Sequence, residues 1–371
     1  MSNLLDGIRD TLLMGPGPSC VSEEVYRALS KPTIGHLDPH FIHIMDEIRA
    51  SLQLLMGTGN RVTFPVSGTG SAGMETCFVN LIERGDPVLI LVNGVFGQRM
   101  LDVARRLGAD ADSVEFDWGD PVDVSAVSRK LNARPYRLLA MVHAETSTGV
   151  RSPVKEVGAL LRGSDTLFVV DAVTSLGGIE VRMDDWRIDA LYSASQKCLS
   201  VPPGLAPVSF SERAVKVLTD RKSKVPNWYL DVSMIIHYWE GSKRSYHHTA
   251  PINMLYALYQ GLKLIEEEGR EKVFARHSDA HQALVAGLQK MGIDLMVKPE
   301  CRLPMLNAVY CPAGIDEQTT RQALLEKHRI EIGAGLGPLA GKIWRVGLMG
   351  NTARPDSVRR FLEALSEELG K

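Results

Sequence analysis

The sequence predicts an α/β protein with a largely parallel sheet, followed by a smaller α+β region. Between residues 60 and 210, short apolar runs alternate with segments of helical periodicity, which is the pattern of parallel α/β domains. The apolar runs are nearly continuous, as expected of strands covered on both faces. From Pro251 the pattern changes to two long helices and then to short strands among helices, which indicates a second domain.

The elements of the first region follow one another in regular order. Runs rich in leucine or β-branched residues predict strands at 87–93, 137–143, 166–171, 189–193 and 206–210. Apolar residues three and four positions apart predict helices at 71–82, 97–107, 122–131 and 153–161. In the first of these helices, one apolar stripe contains Met74, Cys77, Phe78, Leu81 and Ile82.

The second region begins with a long connecting helix. The pattern predicts helices at 251–269, 271–291, 317–327 and 354–369, and strands at 307–310 and 343–346. We therefore predict three parts in the chain: an N-terminal extension over residues 1–20, a large α/β domain over 21–260, and a small α+β domain over 261–371.

Composition excludes several classes of protein. The 371 residues are 44% hydrophobic and 23% charged, with a net charge of −2 and no basic block, so a globular protein that does not bind nucleic acid is expected. The five cysteines are odd in number and form no CxxC pair, which argues against a disulfide scaffold and a structural zinc site. The first residues lack the pattern of a secretion signal, and no run of about 18 apolar residues occurs, so we expect a cytoplasmic protein without membrane partners.

Lys197 and Asp171 stand next to predicted strands. Lysine is usually solvated, whereas Lys197 lies in a run of small and apolar residues; a buried lysine has a lowered pKa and becomes a nucleophile towards aldehydes. Asp171 ends the strand predicted at 166–171, at the sheet edge where ligands bind in open α/β folds. Taken singly, an exposed lysine and a helix-capping aspartate remain open as interpretations.

An anion site and an aromatic wall are predicted nearby. Ser67-Gly-Thr-Gly-Ser71 opens a helix, where free N–H groups and hydroxyls bind phosphate, although the segment lacks the P-loop and dinucleotide patterns. Phe96 follows the strand at 87–93 and can stack on a planar ring. A glycine-rich turn without function and a core aromatic are the alternatives.

Two further positions offer contacts to small ligands. Arg345 lies in an otherwise apolar strand, and a guanidinium binds a carboxylate through two hydrogen bonds; an arginine that faces solvent is the alternative. Thr146 follows the strand at 137–143 and supplies a hydroxyl. The segment Tyr246-His-His-Thr249 has no carboxylate or cysteine at ligand spacing, so we expect no metal site.

Pyridoxal 5′-phosphate (PLP) requires from a protein a lysine, a carboxylate for its ring nitrogen, an anion site and a wall for its ring. All four have candidates here. The sequence therefore predicts a PLP enzyme, with Lys197 holding the cofactor as a Schiff base.

Nearly the whole chain resembles the fold-type I, class V aminotransferases, and within them the alanine–glyoxylate (serine–pyruvate) and ureidoglycine–glyoxylate enzymes. The motifs that carry the resemblance occur in order: Gly15-Pro-Gly-Pro-Ser19, Ser67-Gly-Thr-Gly-Ser71, Asn93-Gly-Val-Phe-Gly-Gln98, Glu145-Thr-Ser-Thr-Gly149, Val170-Asp-Ala-Val-Thr-Ser175, Ser195-Gln-Lys197, Tyr246-His-His-Thr249, Gly335-Leu-Gly-Pro338 and Arg345-Val-Gly-Leu. The resemblance implies a large domain whose seven-stranded, mostly parallel sheet is sandwiched by helices, and a smaller C-terminal α+β domain.

The resemblance also implies a role for each site residue. Lys197 is the Schiff-base lysine, Asp171 the partner of the pyridine nitrogen, Thr146 a donor to the ring hydroxyl, and Arg345 the ligand of the substrate carboxylate. The phosphate is held by Thr69, Gly70, Ser71 and Gln196, and by Tyr246 and Thr249 of the neighbouring subunit. A homodimer with shared active sites follows, catalysing ping-pong transfer from alanine or serine to glyoxylate or pyruvate.

Departures from the family pattern bear on the alternatives. Phe96 stands where the animal alanine–glyoxylate enzymes have tryptophan, and Ser71 stands where a family histidine lies. Ureidoglycine enzymes have asparagine in place of Tyr246 and a glutamine near His36, so the sequence favours the alanine–glyoxylate type. Two alternatives remain. One is a cysteine desulfurase, although those enzymes have a histidine as the ring wall and another beside the lysine. The other is a PLP-fold protein that only binds or regulates.

Overall fold

The structure is a computed structural model that describes residues 3–241 and 243–370. Its helices are α1 (Glu23–Leu29), α2 (Pro39–Met56), α3 (Gly70–Leu81), α4 (Val95–Arg106), α5 (Val124–Ala133), α6 (Val154–Leu160), α7 (Glu212–Thr219), α8 (Val232–Trp239), α9 (Ile252–Glu268), α10 (Arg270–Lys290), α11 (Glu317–His328) and α12 (Pro355–Glu368). None of the described helices is long and apolar enough to cross a membrane.

Fourteen strands are present in the described part of the chain. They are β1 (Leu12–Leu13), β2 (Val62–Ser67), β3 (Pro87–Val92), β4 (Asp110–Glu115), β5 (Leu138–Val142), β6 (Ala144–Glu145), β7 (Val150–Arg151), β8 (Leu167–Asp171), β9 (Ala190–Tyr192), β10 (Leu205–Phe210), β11 (Leu306–Tyr310), β12 (Ile330–Glu331), β13 (Gly333–Ala334) and β14 (Ile343–Gly347).

Seven of these strands form the central sheet, in the order β2-β10-β9-β8-β5-β3-β4. Strand β10 is antiparallel to both of its neighbours, and the other pairings are parallel. The predicted α/β class with a mostly parallel seven-stranded sheet is therefore confirmed. Helix α3 packs on β9 and β10, and α4 packs on β3, so that both helices begin at the edge where the parallel strands end.

The C-terminal region has its own sheet and core. Strands β11, β14 and β13 form an antiparallel sheet, whose core contains Trp344, Leu288 and Phe361. The N-terminal segment joins this core, because β1 pairs in parallel with β12 and Met14 is fully buried there. The smaller C-terminal α+β region is thus confirmed, and the domain boundaries at residues 20 and 260 stay predictions.

Candidate active site

Asp171 forms the floor of a cavity at the carboxyl end of the central sheet. Its side chain is 5% exposed, and its Oδ1 accepts a hydrogen bond from Val173 N at 2.8 Å. Within the described residues it forms no ion pair, and burial raises its pKa to about 7. A buried carboxylate with a backbone hydrogen bond and no ion pair among the described residues can accept a further hydrogen bond from a cationic group of a ligand in the cavity.

Lys197 reaches the same cavity from the segment after β9. Strands β8 and β9 are parallel neighbours in which Asp171 is paired with Tyr192, so the chain leaves both strands at one edge. The Lys197 Nζ donates a hydrogen bond to the carbonyl of Pro16. Burial lowers the pKa of Lys197 to about 8, which raises the fraction of neutral, nucleophilic amine at neutral pH.

The N-terminus of α3 forms the opposite end of the cavity. Thr69 caps this helix without a side-chain hydrogen bond, and the amides of Thr69, Gly70 and Ser71 donate no hydrogen bond within the part of the chain that the structure describes. A Cβ on Gly70 would lie 2.9 Å from Ala194 Cβ, so glycine permits the close approach of this turn to β9 and its extension. Three free amides at a helix N-terminus bind an anion.

Phe96 and Thr146 complete the walls. Phe96 is half-buried on the first turn of α4, and its ring faces the Arg99 guanidinium at 5.1 Å. The cavity has a volume of about 600 Å³, its mouth included, and eight of the residues predicted from the sequence line it: Thr69, Gly70, Ser71, Phe96, Thr146, Asp171, Gln196 and Lys197. The Oε1 atom of Gln196 is buried without a hydrogen-bond partner among the described residues.

Arg345 lies beside the cavity on β14. Its side chain donates to the carbonyls of Ala334, at 2.6 Å, and Thr146, at 3.3 Å. It forms no ion pair within residues 3–241 and 243–370, although it is only 7% exposed. Burial lowers its pKa to about 10, so the guanidinium stays charged at neutral pH. A buried cation held only by carbonyls is suited to bind an anion.

Tyr246 and Thr249 are not brought to this cavity. Tyr246 is 59% exposed, its hydroxyl lies 3.4 Å from that of Thr249, and its ring contacts His36 at 5.1 Å between centroids. Neither residue lines the cavity of its own chain. Their predicted contact with a cofactor phosphate can therefore not come from the same subunit in this conformation.

Sequence reasoning gave no role to Tyr192 and Glu145. Tyr192 lines the cavity, fully buried, because its pairing with Asp171 in adjacent strands puts both side chains on one face of the sheet. Glu145 is buried and accepts hydrogen bonds from Ser147 Oγ, at 2.6 Å, and Phe96 N, at 3.2 Å, which fixes the first turn of α4. The position of Tyr192 is revealed only by the register of the strands, and no sequence pattern indicates the role of Glu145.

The unsatisfied groups of this cavity match the functional groups of PLP. The phosphate fits the free amides of α3, a protonated ring nitrogen fits the unpaired carboxylate of Asp171, and the aldehyde fits the amine of Lys197.

Comparison with known proteins agrees with this chemistry. The family model for class-V aminotransferases matches residues 21–348. The (S)-ureidoglycine–glyoxylate transaminase of Bacillus subtilis is 40% identical over 96% of this chain and 90% of its own length, and the alanine–glyoxylate aminotransferase of Drosophila melanogaster is 37% identical over 96% and 92%. A crystal structure of alanine–glyoxylate aminotransferase from Nostoc sp. superposes with a TM-score of 0.96, at 46% identity, and covers 98% of this chain and 96% of that one. The chain belongs to the class-V aminotransferases, a family that implies a PLP cofactor.

Proposed function

We propose that this aminotransferase moves an amino group from alanine or serine to glyoxylate or pyruvate by a ping-pong mechanism. The observation that carries the proposal is Arg345, a buried guanidinium that forms no close ion pair with any described residue and lies beside the cavity that contains Lys197 and Asp171. Both the amino donor and the keto-acid acceptor present a carboxylate to such a group. The names of the relatives from Nostoc and Drosophila support alanine as the donor and glyoxylate as the acceptor.

The residues that would hold PLP follow from their positions. Lys197 is the covalent anchor, Asp171 the partner of the ring nitrogen, Phe96 the ring wall and Thr146 the donor to the ring hydroxyl. The phosphate is bound by Gln196 and by the first turn of α3: Thr69, Gly70 and Ser71. When bound, PLP supplies an electron-withdrawing ring that stabilises negative charge at the donor's Cα.

Each charged residue then has a task in the reaction. Arg345 binds and orients the substrate carboxylate. Lys197 would accept the proton from the donor's Cα at its Nζ, and its pKa, lowered to about 8 by burial, gives it a larger neutral fraction near pH 7 than an exposed lysine has. Asp171 keeps the proton on the ring nitrogen, and the ionised carboxylate that this requires is stabilised by the resulting positive charge.

Ureidoglycine is the second candidate donor, because the Bacillus relative at 40% identity bears that name. The rings of Tyr246 and His36 are in contact. The ureidoglycine enzymes have asparagine in place of Tyr246 and a glutamine near the position of His36. Their replacement removes the amide groups that would bind a ureido group. We therefore place alanine and serine first.

We also propose a homodimer in which each subunit contributes Tyr246 and Thr249 to the phosphate site of its partner. Both residues lie outside the cavity of their own chain, and Tyr246 is exposed. The same surface exposes Trp228, which stacks on His247 at 4.5 Å. Exposed aromatic residues of this kind are typical of interface cores.

A single-turnover screen tests the proposed substrates. The PLP-loaded enzyme is mixed with alanine, serine, ureidoglycine or cysteine, and the change in cofactor absorbance is followed; alanine or serine should react fastest, and Lys197→Ala should not react. Faster reaction with ureidoglycine would establish the second candidate, and conversion of cysteine to alanine would establish a desulfurase.

Arg345→Ala is the matched variant for the carboxylate contact. Loss of a charge-assisted hydrogen bond costs roughly 2–3 kcal/mol, so KM should rise about 30- to 150-fold for donor and acceptor alike. Cofactor loading, measured by absorbance, should not change. A variant that loses PLP but keeps its KM would show that Arg345 serves the fold.

A further inference from the structure

The turn that follows Lys197 has an unusual backbone. Ser200 has φ +53°, a left-handed conformation that residues with a side chain seldom adopt. Its N–H donates to the carbonyl of Lys197 at 3.0 Å, and the hydroxyl of Ser19 donates to the same carbonyl at 2.7 Å. Because such a conformation persists only where neighbouring structure holds it, contacts to Ser200 influence where Lys197 lies.

Those contacts come from the loop after β14, a distant part of the chain. Asn351 N donates to Ser200 Oγ at 2.7 Å. Gly350 has φ +52°, and a Cβ there would lie 2.0 Å from Ser200 Oγ and 2.7 Å from the carbonyl oxygen of Cys198. The loop is therefore packed directly on the backbone that follows Lys197, without space for a larger residue.

Two consecutive residues of α10 hold Gly350 from the other side. His277 Nε2 accepts a hydrogen bond from Gly350 N at 2.9 Å, and Arg276 Nη1 donates to Gly350 O at 2.6 Å. Arg276 is itself paired with Glu268 at 2.6 Å. Both polar backbone groups of Gly350 are thus bound by side chains.

His277 is set up as a neutral acceptor. It is fully buried, and its Nδ1 lies 2.7 Å from the carbonyl of Val273, so Nδ1 carries the proton and Nε2 is free to accept. Burial lowers its pKa to about 4, which keeps the ring neutral through the physiological range. A histidine held in one tautomer at both nitrogens has a more specific task than filling space.

We propose that His277 is a positioning residue for Lys197: it fixes the Gly350 loop, which fixes the turn at Ser200 and hence the amine in the cavity. The inference rests on the proposed role of Lys197 as the cofactor anchor. Its physical basis is that displacement of a reacting group by about 1 Å can cost 100-fold in rate. Because His277 is not among the residues that line the cavity, its effect should fall on kcat and not on KM.

The test compares two replacements at His277 with a control on the same helix. His277→Gln can keep an acceptor near the Nε2 position, whereas His277→Leu removes it. His281→Leu is the control, since His281 makes a hydrogen bond of equal length, 2.7 Å, to Asn307 and not to the Gly350 loop. Ser200→Ala removes the hydrogen bond from Asn351 N to Ser200 Oγ. It therefore tests the contact between the Gly350 loop and the turn at Ser200 even if His277→Leu fails to fold.

Four quantities are measured on each folded variant. These are kcat and KM of the PLP-loaded enzyme, the thermal midpoint, and the rate of Lys197 acetylation in the cofactor-free enzyme by peptide mapping. We expect His277→Leu to lower kcat about tenfold or more with KM unchanged, and to change Lys197 acetylation several-fold, with His277→Gln partly restoring both. His281→Leu should leave acetylation and kcat unchanged.

The double variant His277→Leu/Ser200→Ala separates a shared path from two independent effects. If both residues act on Lys197 through Gly350, the double variant should be little worse than the more damaging single one. Equal losses in His277→Gln and His277→Leu, additive losses in the double variant, or reduced thermal stability with unchanged acetylation would overturn the proposal. A PLP adduct mapped to another lysine in the unaltered enzyme would instead refute the proposed role of Lys197.

Discussion

Asp171 and Arg345 are both buried, and neither forms a close ion pair within the described residues; the opposite charges of Lys197 and Glu145 act on them only at longer range. Burial of a single charge costs several kcal/mol unless another charge or several hydrogen bonds offset it. A protein retains such buried charged groups where a bound ligand supplies the opposite charge or the missing hydrogen bonds. The two side chains therefore mark the positions for a cation or donor and for an anion, as a pyridine nitrogen and a substrate carboxylate require.

The cofactor-free protein should show the cost of Asp171 as a dependence of stability on pH. Burial raises the pKa of this carboxyl to about 7 in the folded protein, from 3.8 for an exposed aspartate. Between these values the folded protein retains a proton that the unfolded chain has lost, so the free energy of unfolding falls as pH rises from about 4 to 7. Asp171→Asn removes this penalty and should be more stable than the unaltered protein at pH 8, by at most about 4 kcal/mol.

Denaturant unfolding at pH 8, 6 and 4 measures the difference. It should shrink as pH falls, because a protonated carboxyl and an amide are then both neutral. Asp171→Leu is a control of similar volume without an amide. A stability difference that does not vary with pH would show that Asp171 is ionised and satisfied by groups of the protein.

Each element predicted from the sequence lies within two residues of an observed one. Helices α1, α2, α7 and α8 were not predicted, although α2 buries Phe41, Met45 and Ile48. The prediction at 71–82 corresponds to α3 (Gly70–Leu81), and the strand predicted at 166–171 to β8 (Leu167–Asp171). Strand β4 was not predicted, because it lies at the edge of the sheet and its sequence Asp-Ala-Asp-Ser-Val-Glu carries no apolar run. Strand β2 was not predicted either, because Pro65 within it argues against a strand. The proline is tolerated since β2 lies at the other edge of the sheet.

Site residues were predictable where they stand next to an element end. Lys197, Asp171 and Ser71 have this property, and the structure places them around one cavity. The connection from His277 through Gly350 to Ser200 was not predictable, because it joins three segments far apart in the chain. Local patterns give the ends of elements but not the packing of loops from different regions.

The N-terminus of α3 gives a prediction about cofactor affinity. In Gly70→Ala the new Cβ would lie 2.9 Å from Ala194 Cβ, so the turn must move away from β9. Overpacking of this kind costs about 1–3 kcal/mol, and the displaced amides of Thr69 and Ser71 should weaken PLP binding about tenfold. Equilibrium titration of the cofactor-free variant with PLP measures the affinity.

Gly59→Ala is the control, because nothing lies within 4 Å of the Cβ that it would add. Its affinity for PLP should equal that of the unaltered protein. If Gly70→Ala binds PLP normally, the first turn of α3 is not the phosphate site.

On the scale of the molecule, the N-terminal segment connects the two hydrophobic cores. Met14 is buried in the C-terminal core, whereas Pro16 accepts a hydrogen bond from Lys197 and Ser19 binds the turn behind it. The Gly350 loop makes a second connection of the same kind. The environment of Lys197 is therefore built from both regions, and the proposed dimer adds Tyr246 and Thr249 from a second chain.

Mixed dimers test whether the two chains share their sites. Lys197→Ala subunits are inactive but keep Tyr246 and Thr249, whereas Tyr246→Ala/Thr249→Ala subunits keep Lys197. In a mixed dimer with C2 symmetry, one site receives both defects and the other receives all three native residues. After subunit exchange of equal amounts, about a quarter of the native activity should return, since half of the dimers are mixed and each has one native site.

Exchange itself is measured with subunits of different mass. A mixture that exchanges subunits yet regains no activity, or a native protein that sediments as a fully active monomer, would show that each chain completes its own site. The segment that carries the exposed Tyr246 would then have to move for this residue to reach the phosphate of its own chain.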